Sequence, residues 1–561
     1  MGENNKKEAK IAYLSMEIAI KNSIKSFSGG LGVLAGDTLK SAADLEVPIV
    51  GVTLLNDHGY FKQKIDENGH QKELPDDYDT SQLEEVGETF CHIGTDKVNV
   101  KIWEYQIKGQ SGHLVPVLFL DTDLDSNKDE YRGVTKNLYG GDREYRLMQE
   151  IVLGRGSVNG LDALGYKAIK KYHLNEGHAA LATIELLSRM KPRSFALSTK
   201  SAKERIREIR KKCVFTTHTP VKAGHDVFPL ELVKKYQPDF PYTIPEITID
   251  NKLNMSRLAA YFSSYVNGVS KKHGQVSEEM FPDQKVDYIT NGVHPGTWLS
   301  DHFKTLFDNH LPDWRSCGFS LRNAVKISKD DIWETHQKSK KELISYVKEK
   351  NGTDLDQNIF TIGFGRRFAT YKRPTLLLHD MERLIKMHRN VGNIQIIYAG
   401  KAHPHDQAGK DEVAKVNRII KDCPDISIVF LEDYDMEVAK KLIPGVDLWL
   451  NNPVLPKEGC GTSGMKAALN GVPQLSTLDG WWLEGFVDGK TGWAIGRDQK
   501  DPENNFEKDA QELYSKLEEI IPLYYDKRRE WISIMRKTIA INGSHFNSER
   551  MVRQYAQKAY L

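Results

Sequence analysis

The 561-residue chain is poor in cysteine: Cys91, Cys213, Cys317, Cys423 and Cys460 stand far apart, with no Cys-x-x-Cys pair and no histidine-rich metal spacing. That pattern offers neither a disulfide framework nor a zinc motif, and it suits a reducing compartment. An excess of either charge is missing too. Lys plus Arg number 78 against 77 Asp plus Glu, a net charge of +1, so neither nucleic acid nor an anionic membrane is expected as the main partner, and any anion must be bound locally. No apolar run approaches membrane-spanning length, and Met-Gly-Glu-Asn-Asn-Lys-Lys-Glu-Ala-Lys has no apolar secretion core. Lys6 stands where a myristoylation signal beginning Met1-Gly2 wants Ser or Thr. A soluble, cytoplasmic protein is the expectation. Also absent are a Gly-x-Gly-x-x-Gly dinucleotide loop, a His pair at helical i, i+4 spacing and a short-period repeat. Asp121-Thr-Asp-Leu-Asp125 lacks the closing Glu of a calcium loop and reads as a solvated turn. No metal is expected.

What the chain has is an α/β rhythm, with length for two large domains. An apolar run over 11–16 leads to the glycine loop Ser28-Gly-Gly-Leu-Gly32, a helical period over 31–43 and a strand over 49–55. The polar, acidic stretch 61–96 reads as loops and a hairpin, and strands follow at 98–103 and 114–120. A helix over 144–153 and a strand over 168–174 lead into Asn175-Glu-Gly-His178 and another helix. His178, His218 and His294 each follow a predicted strand, which suggests a polar edge where ligands gather. The rhythm breaks between 295 and 328, so one domain is expected over 1–297 and another over 298–561. Strands in the second half are predicted at 360–364, 394–398, 426–431 and 446–450, and a last helix over 548–560 is expected to return to the first domain.

Two stretches carry chemistry. Gly365-Arg-Arg-Phe-Ala-Thr-Tyr-Lys-Arg-Pro374 places four cations at a strand's carboxyl end, where arginine forks and a lysine point charge suit phosphate. Glu458-Gly-Cys-Gly-Thr-Ser-Gly464, followed by Met465-Lys466, reads as a glycine-rich loop opening a helix, an anion site with a lysine in the first helical turn. The helix dipole disfavours a cation there, so Lys466 is either turned to solvent or kept for chemistry.

Taken in order, Ser28-Gly-Gly-Leu-Gly32, Asn175-Glu-Gly-His178, Val266-Asn-Gly-Val269 with His273, Thr290-Asn-Gly292 with Trp298, Arg366-Arg367 with Tyr371-Lys372-Arg373, Phe430-Leu-Glu-Asp-Tyr434, Glu458 to Lys466 and Thr477-Leu-Asp-Gly480 resemble the glycogen/starch (α-glucan) phosphorylase family. The likeness is to its shorter form, without most of the regulatory N-terminal region. It implies two Rossmann-like α/β domains facing a central cleft, the GT-B glycosyltransferase fold. It also implies pyridoxal 5'-phosphate held as an aldimine on Lys466. Its phosphate would be bound by Thr462, Ser463 and Arg366 and its sides walled by Trp298 and Tyr434. Inorganic phosphate would be held by Arg367, Lys372 and the Gly30 amide. The reacting glucose would be held by Glu458, Cys460 and Gly461, helped by His273, Asn291 and Tyr371, with His178 nearby. The implied reaction is reversible phosphorolysis of terminal α-1,4 bonds of glycogen or maltodextrin to α-D-glucose 1-phosphate, with retention, the cofactor phosphate assisting proton transfer. Lys466, Arg367, Lys372, His273 and Glu458 would carry it.

This chain departs from the family pattern where Gly459-Cys460 replaces the usual Ala-Ser, where Arg366 replaces a common lysine and where Ser463-Gly464 replaces the Gly-Asn of longer enzymes. A nucleotide-sugar glycan synthase and an inactive glucan-binding protein are the competing readings. The sequence leaves homo-oligomerisation open.

Overall fold

The computed structural model describes residues 8–56, 58–77, 79–190, 200–221, 224–241, 245–496 and 505–561. The chain forms two compact units. The first comprises Met1–Tyr60, Pro75–Thr290 and Met551–Leu561, the second Phe61–Leu74 and Asn291–Arg550. The sequence reading draws one boundary, between 297 and 298; the backbone changes unit at 60/61, 74/75, 290/291 and 550/551.

The first unit is built on a nine-stranded sheet of β1 (Ile11–Ser15), β2 (Ile49–Leu54), β3 (Glu84–Ile93), β4 (Asp96–Lys108), β5 (Leu114–Asp121), β6 (Lys171–Asn175), β7 (Cys213–Thr216), β8 (Tyr265–Gly268) and β9 (Val286–Tyr288), ordered β9-β8-β7-β6-β1-β2-β5-β4-β3. The seven strands from β9 to β5 run parallel, while β4 and β3 pair antiparallel. Every residue of β1 and β2 is buried, which is why they read as apolar runs, whereas β4 alternates buried and half-buried positions. The stretch 61–96 holds more than loops and a hairpin. Strand β3 lies in it, disguised because its outer face is polar, with Glu84, Glu85 and Glu88 exposed. The chain's last residues also belong here: Met551, Tyr555 and Ala559 pack with Leu34, Val214 and Ile289, and the Tyr560 hydroxyl meets His173 Nδ1 at 2.7 Å.

The second unit has an all-parallel sheet of β10 (Phe360–Gly365), β11 (Ile394–Ala399), β12 (Ser427–Leu431), β13 (Leu448–Asn451), β14 (Gln474–Thr477) and β15 (Gly492–Ile495), ordered β12-β11-β10-β13-β14-β15. Counted along the chain this is 3-2-1-4-5-6, a doubly wound sheet whose direction reverses between β10 and β13. The hairpin Lys62–Ile65 with Gln71–Leu74 joins this unit, Gln63 N–H donating to Asp433 at 3.0 Å and Lys401 to the Phe61 carbonyl at 2.7 Å. The long helix Lys329–Asn351 starts where Ser328 Oγ accepts the Asp331 N–H and ends at left-handed Gly352. Among the described residues no helix is long and apolar enough to cross a membrane.

Candidate active site

In an open α/β sheet, ligands gather beyond the strand ends at the reversal point. In the second unit that point is where β10 runs into Arg366 and Arg367 and β13 into Asn451. There the Arg366 guanidinium donates to Asn451 Oδ1 and to Glu458 Oε2, and Lys372 Nζ donates to the same Glu458 oxygen at 2.5 Å. Burial opposes ionisation of Glu458, yet Lys372 and Arg366 outweigh it and hold its carboxyl at about 2. Two largely buried cations thus share one carboxylate oxygen, and the three side chains together carry a net positive charge mostly out of bulk water. Tyr371 reports the same potential. Burial alone would raise its phenol, but Lys372, 4.6 Å from its ring centroid, leaves its pKa below the ordinary value.

The loop from β13 to the next helix is held in place on the β10 side. Arg373, at φ +50°, donates to the carbonyls of Asn452 and Pro453 and to Asp509, while Val454 N–H donates to the Tyr371 carbonyl at 2.7 Å. Gly461 stands at φ +86°, beyond ready reach of a larger residue. The helix Ser463–Leu469 follows, and the approach of Gln474 leaves no room for a Cβ at Gly464. Lys466 is the fourth residue of this short helix. It is buried, with its Nζ 3.5 Å from the centroid of the Trp298 ring, a cation held on an indole face rather than turned to water. Trp298 is positioned by Asn470, which donates to its carbonyl at 2.8 Å. Ser463 Oγ accepts from Trp449 Nε1 at 3.1 Å. Tyr434 lies against Gly365, where an added Cβ would sit 3.2 Å from its ring. Cys460 is buried and its thiol pKa is pushed well up, first by burial. Asn291, far away in sequence, is buried against Cys460: its backbone hydrogen-bonds to the thiol and opposes the rise, and its carbonyl accepts from Arg550 at 2.8 Å. Arg367 is exposed.

The first unit has its own reversal point, between β1 and β6. Glu17, just past β1, accepts the N–H groups of Ser28 at 2.7 Å and Gly29 at 3.2 Å and the Tyr139 hydroxyl at 2.7 Å. These contacts fix the glycine loop at the start of the helix Gly30–Asp44 and leave nothing within 4 Å of a Cβ at Gly30. Past β6, Glu176 has φ +73°, and its carboxylate accepts from Gly177 N, His218 N, Thr219 Oγ1 and Ser256 Oγ. His178 Nε2 lies 3.5 Å from Asp226, and burial with Arg146 lowers its pKa to about 3. His218 is also lowered by burial to about 3, and its Nε2 meets Asn175 Oδ1 at 2.6 Å. His273 caps its own loop: Ser270 Oγ accepts its N–H and its Nδ1 accepts the Val269 N–H at 3.2 Å. Lowered by burial to about 4, it is a neutral imidazole whose proton sits on Nε2. His294, in the second unit, pairs with Thr297 Oγ1 at 2.8 Å.

The carbohydrate phosphorylase family model matches residues 22–93 and 242–486. The chain is 38% identical to the maltodextrin phosphorylase of Thermococcus litoralis, over 99% of this chain and 70% of that protein. The chain belongs to the carbohydrate phosphorylase family. It is also 34% identical to the glycogen phosphorylase of Aquifex aeolicus, over 98% of this chain and 86% of the relative. An uncharacterised protein of Methanocaldococcus jannaschii is 31% identical over 98% of the chain and 99% of its own length.

Within this family member, Arg366, Lys372, Glu458, Tyr371, Tyr434, Trp298, Asn291, Cys460, Gly461, Thr462, Ser463 and Lys466 all fall in the second unit, and Gly30, His178 and His273 in the first. Sequence reasoning missed Glu17, Glu176, Asn451 and Asp479. Glu176 directly follows a strand, Asn451 ends one and Glu17 comes two residues past one, each at a reversal point, which is the signal that could have found them. Asp479 lay inside a motif already singled out.

Proposed function

We propose that the chain is an α-glucan phosphorylase of the GT-B type, catalysing reversible phosphorolysis of terminal α-1,4-glucosidic bonds of glycogen or maltodextrin. The observation that supports it best is the sharing of one Glu458 oxygen by Arg366 and Lys372, on the loop that leads into the helix of the buried Lys466. A buried site with surplus positive charge is costly unless an anion completes it, and phosphate is the anion this reaction consumes.

In this reading Lys372, Arg367 and the Gly30 amide hold inorganic phosphate. As Lys372 and Arg366 turn toward anions, the Glu458 carboxylate is released to accept sugar hydroxyls, with Gly461 and Cys460 contributing backbone contacts and Asn291 and Tyr371 assisting. His273, neutral with its proton on Nε2, donates a hydrogen bond to a sugar oxygen, and His178 serves the same substrate. Phosphate gives its proton to the glycosidic oxygen, the C1–O4 bond breaks, and a phosphate oxygen joins C1 to give α-D-glucose 1-phosphate and a glucan one unit shorter. The positive cluster stabilises the phosphate as its charge changes.

The residues fit pyridoxal phosphate. A buried amine on an indole face suits an aldehyde and a flat ring, Tyr434 is the second aromatic wall, and Arg366 with the helix start at Thr462 and Ser463 suits its phosphate. When bound, the cofactor supplies a phosphate group able to exchange a proton with the substrate phosphate.

The test is product formation from maltodextrin and inorganic phosphate without metal or nucleotide. Glucose 1-phosphate is the expected product; synthesis that requires a nucleotide sugar overturns the reading in favour of a synthase.

A further inference from the structure

Asp479 has no task in the reaction above. It follows β14, is 2% exposed, and grips the backbone of the loop that carries Glu458. Its Oδ2 accepts the Glu458 N–H at 2.9 Å and its Oδ1 the Gly480 N–H at 2.8 Å. Two residues on, Trp481 N–H donates to the Cys460 carbonyl at 3.0 Å. The 458–460 loop is therefore pinned at its first N–H and its last C=O by one turn. Gly480 makes that approach possible: its φ is +54°, and a Cβ there would lie 2.3 Å from the Cys460 oxygen. The Glu458 side chain is held separately, by Arg366 and Lys372. Those cations alone would allow the carboxylate to follow them toward an anion; the Asp479 contact fixes where its backbone stays.

We propose that Asp479 is a positioning residue for glucan binding, setting the place of the Glu458 carboxylate through the Glu458 N–H without itself touching substrate. The inference rests on the phosphorylase reading above. An ionised carboxylate accepts both N–H groups, whereas a protonated one turns an oxygen into a donor and faces one N–H with another. Burial raises the Asp479 pKa to about 7, with Glu458 on the loop adding to the rise and Lys372 on the turn Thr370–Lys372 opposing it. The grip is thus complete above neutrality and loosens below it. Because Glu458 meets the sugar in ground and transition states alike, the effect belongs in KM for glucan rather than in kcat.

The experiment compares wild type with Asp479→Asn, both loaded with cofactor, for maltodextrin KM at saturating phosphate from pH 6 to 8. Titration of phosphate itself is common to both and cancels in the ratio. At pH 8 the variant should show a glucan KM raised roughly tenfold, the scale of one lost hydrogen bond to a charged buried group, with kcat within about twofold. The two proteins should converge toward pH 6, as wild type weakens and the variant stays flat. Equal KM values at pH 8, or a constant ratio across the range, overturn the inference. Should the variant not fold, calorimetric binding of maltodextrin to wild type without phosphate decides: affinity falling below pH 7 supports the grip, and flat affinity refutes it. A wild type that forms no glucose 1-phosphate instead overturns the phosphorylase reading.

Discussion

Replacing Glu458 by Gln removes the one carboxylate on which Arg366 and Lys372 converge and leaves their charges buried beside a neutral amide. Breaking such a pair from one side typically costs about 3–5 kcal/mol. The carboxyl's own titration gives a similar figure, since a fall from 4.5 to about 2 corresponds to about 3 kcal/mol at neutral pH. In calorimetry the transition of the second unit should drop by several degrees, at about 2–4 °C per kcal/mol for a unit of this size. The sign with pH is fixed: a depressed carboxylate stabilises fully above its unfolded value and loses this as pH falls through its folded one. The gap between wild type and Glu458→Gln should therefore be widest above pH 5 and close between about 4.5 and 2. Phosphate supplies a distinguishing arm. If the cluster is an anion site, millimolar phosphate should raise the variant's Tm more than the wild type's, because it restores the missing negative charge. A variant as stable as wild type, or one whose response to phosphate is no larger, would refute the surplus-charge argument.

Lys372→Ala should raise KM for phosphate at least tenfold with a smaller change for glucan; unchanged phosphate kinetics would remove Lys372 from the phosphate site. The Ser28 and Gly29 amides share Glu17 Oε2 while Oε1 accepts the Tyr139 hydroxyl; Glu17→Gln removes the charge and turns one of these oxygens into a donor, so initial-rate kinetics should show weaker phosphate use, and thermal denaturation of the first unit a loss of about 1–3 kcal/mol. A thiol reagent followed by mass spectrometry should label exposed Cys317 quickly and spare Cys460, Cys91 and Cys213, which are buried and whose thiol pKa values burial raises; fast loss of Cys460 would mean that the sugar loop is open.

Much of this was legible in the sequence because parallel strands buried on both faces announce themselves as apolar runs, and because the motifs sit directly behind them. Strands β1, β2, β10, β11, β12 and β13 were all readable in that way. Strand β3 was not, since an edge strand with glutamates on its outer face has no apolar run to show. The hairpin at 62–74 crosses to the second unit through pairings such as Gln63 with Asp433, 370 residues apart, a link no local pattern encodes. The site shows the same divide. The residue types at Arg366, Lys372, Glu458 and Lys466 announced an anion and an amine, but their mutual pairing did not: one Glu458 oxygen shared by two cations depends on how two strand ends meet. The departures at Gly459-Cys460 became intelligible once the backbone was in view, because Cys460 engages the Asp479 turn through its carbonyl, a group that serine and cysteine share.

The central claim is that the Lys466 amine, buried on Trp298, is where pyridoxal phosphate is carried. Borohydride reduction of the purified protein, loaded with pyridoxal phosphate and then digested and mapped, tests it directly. The account predicts one stoichiometric pyridoxyl label on the peptide containing Lys466, lost in Lys466→Ala. No label under cofactor-replete conditions, or a label on another lysine, would contradict it.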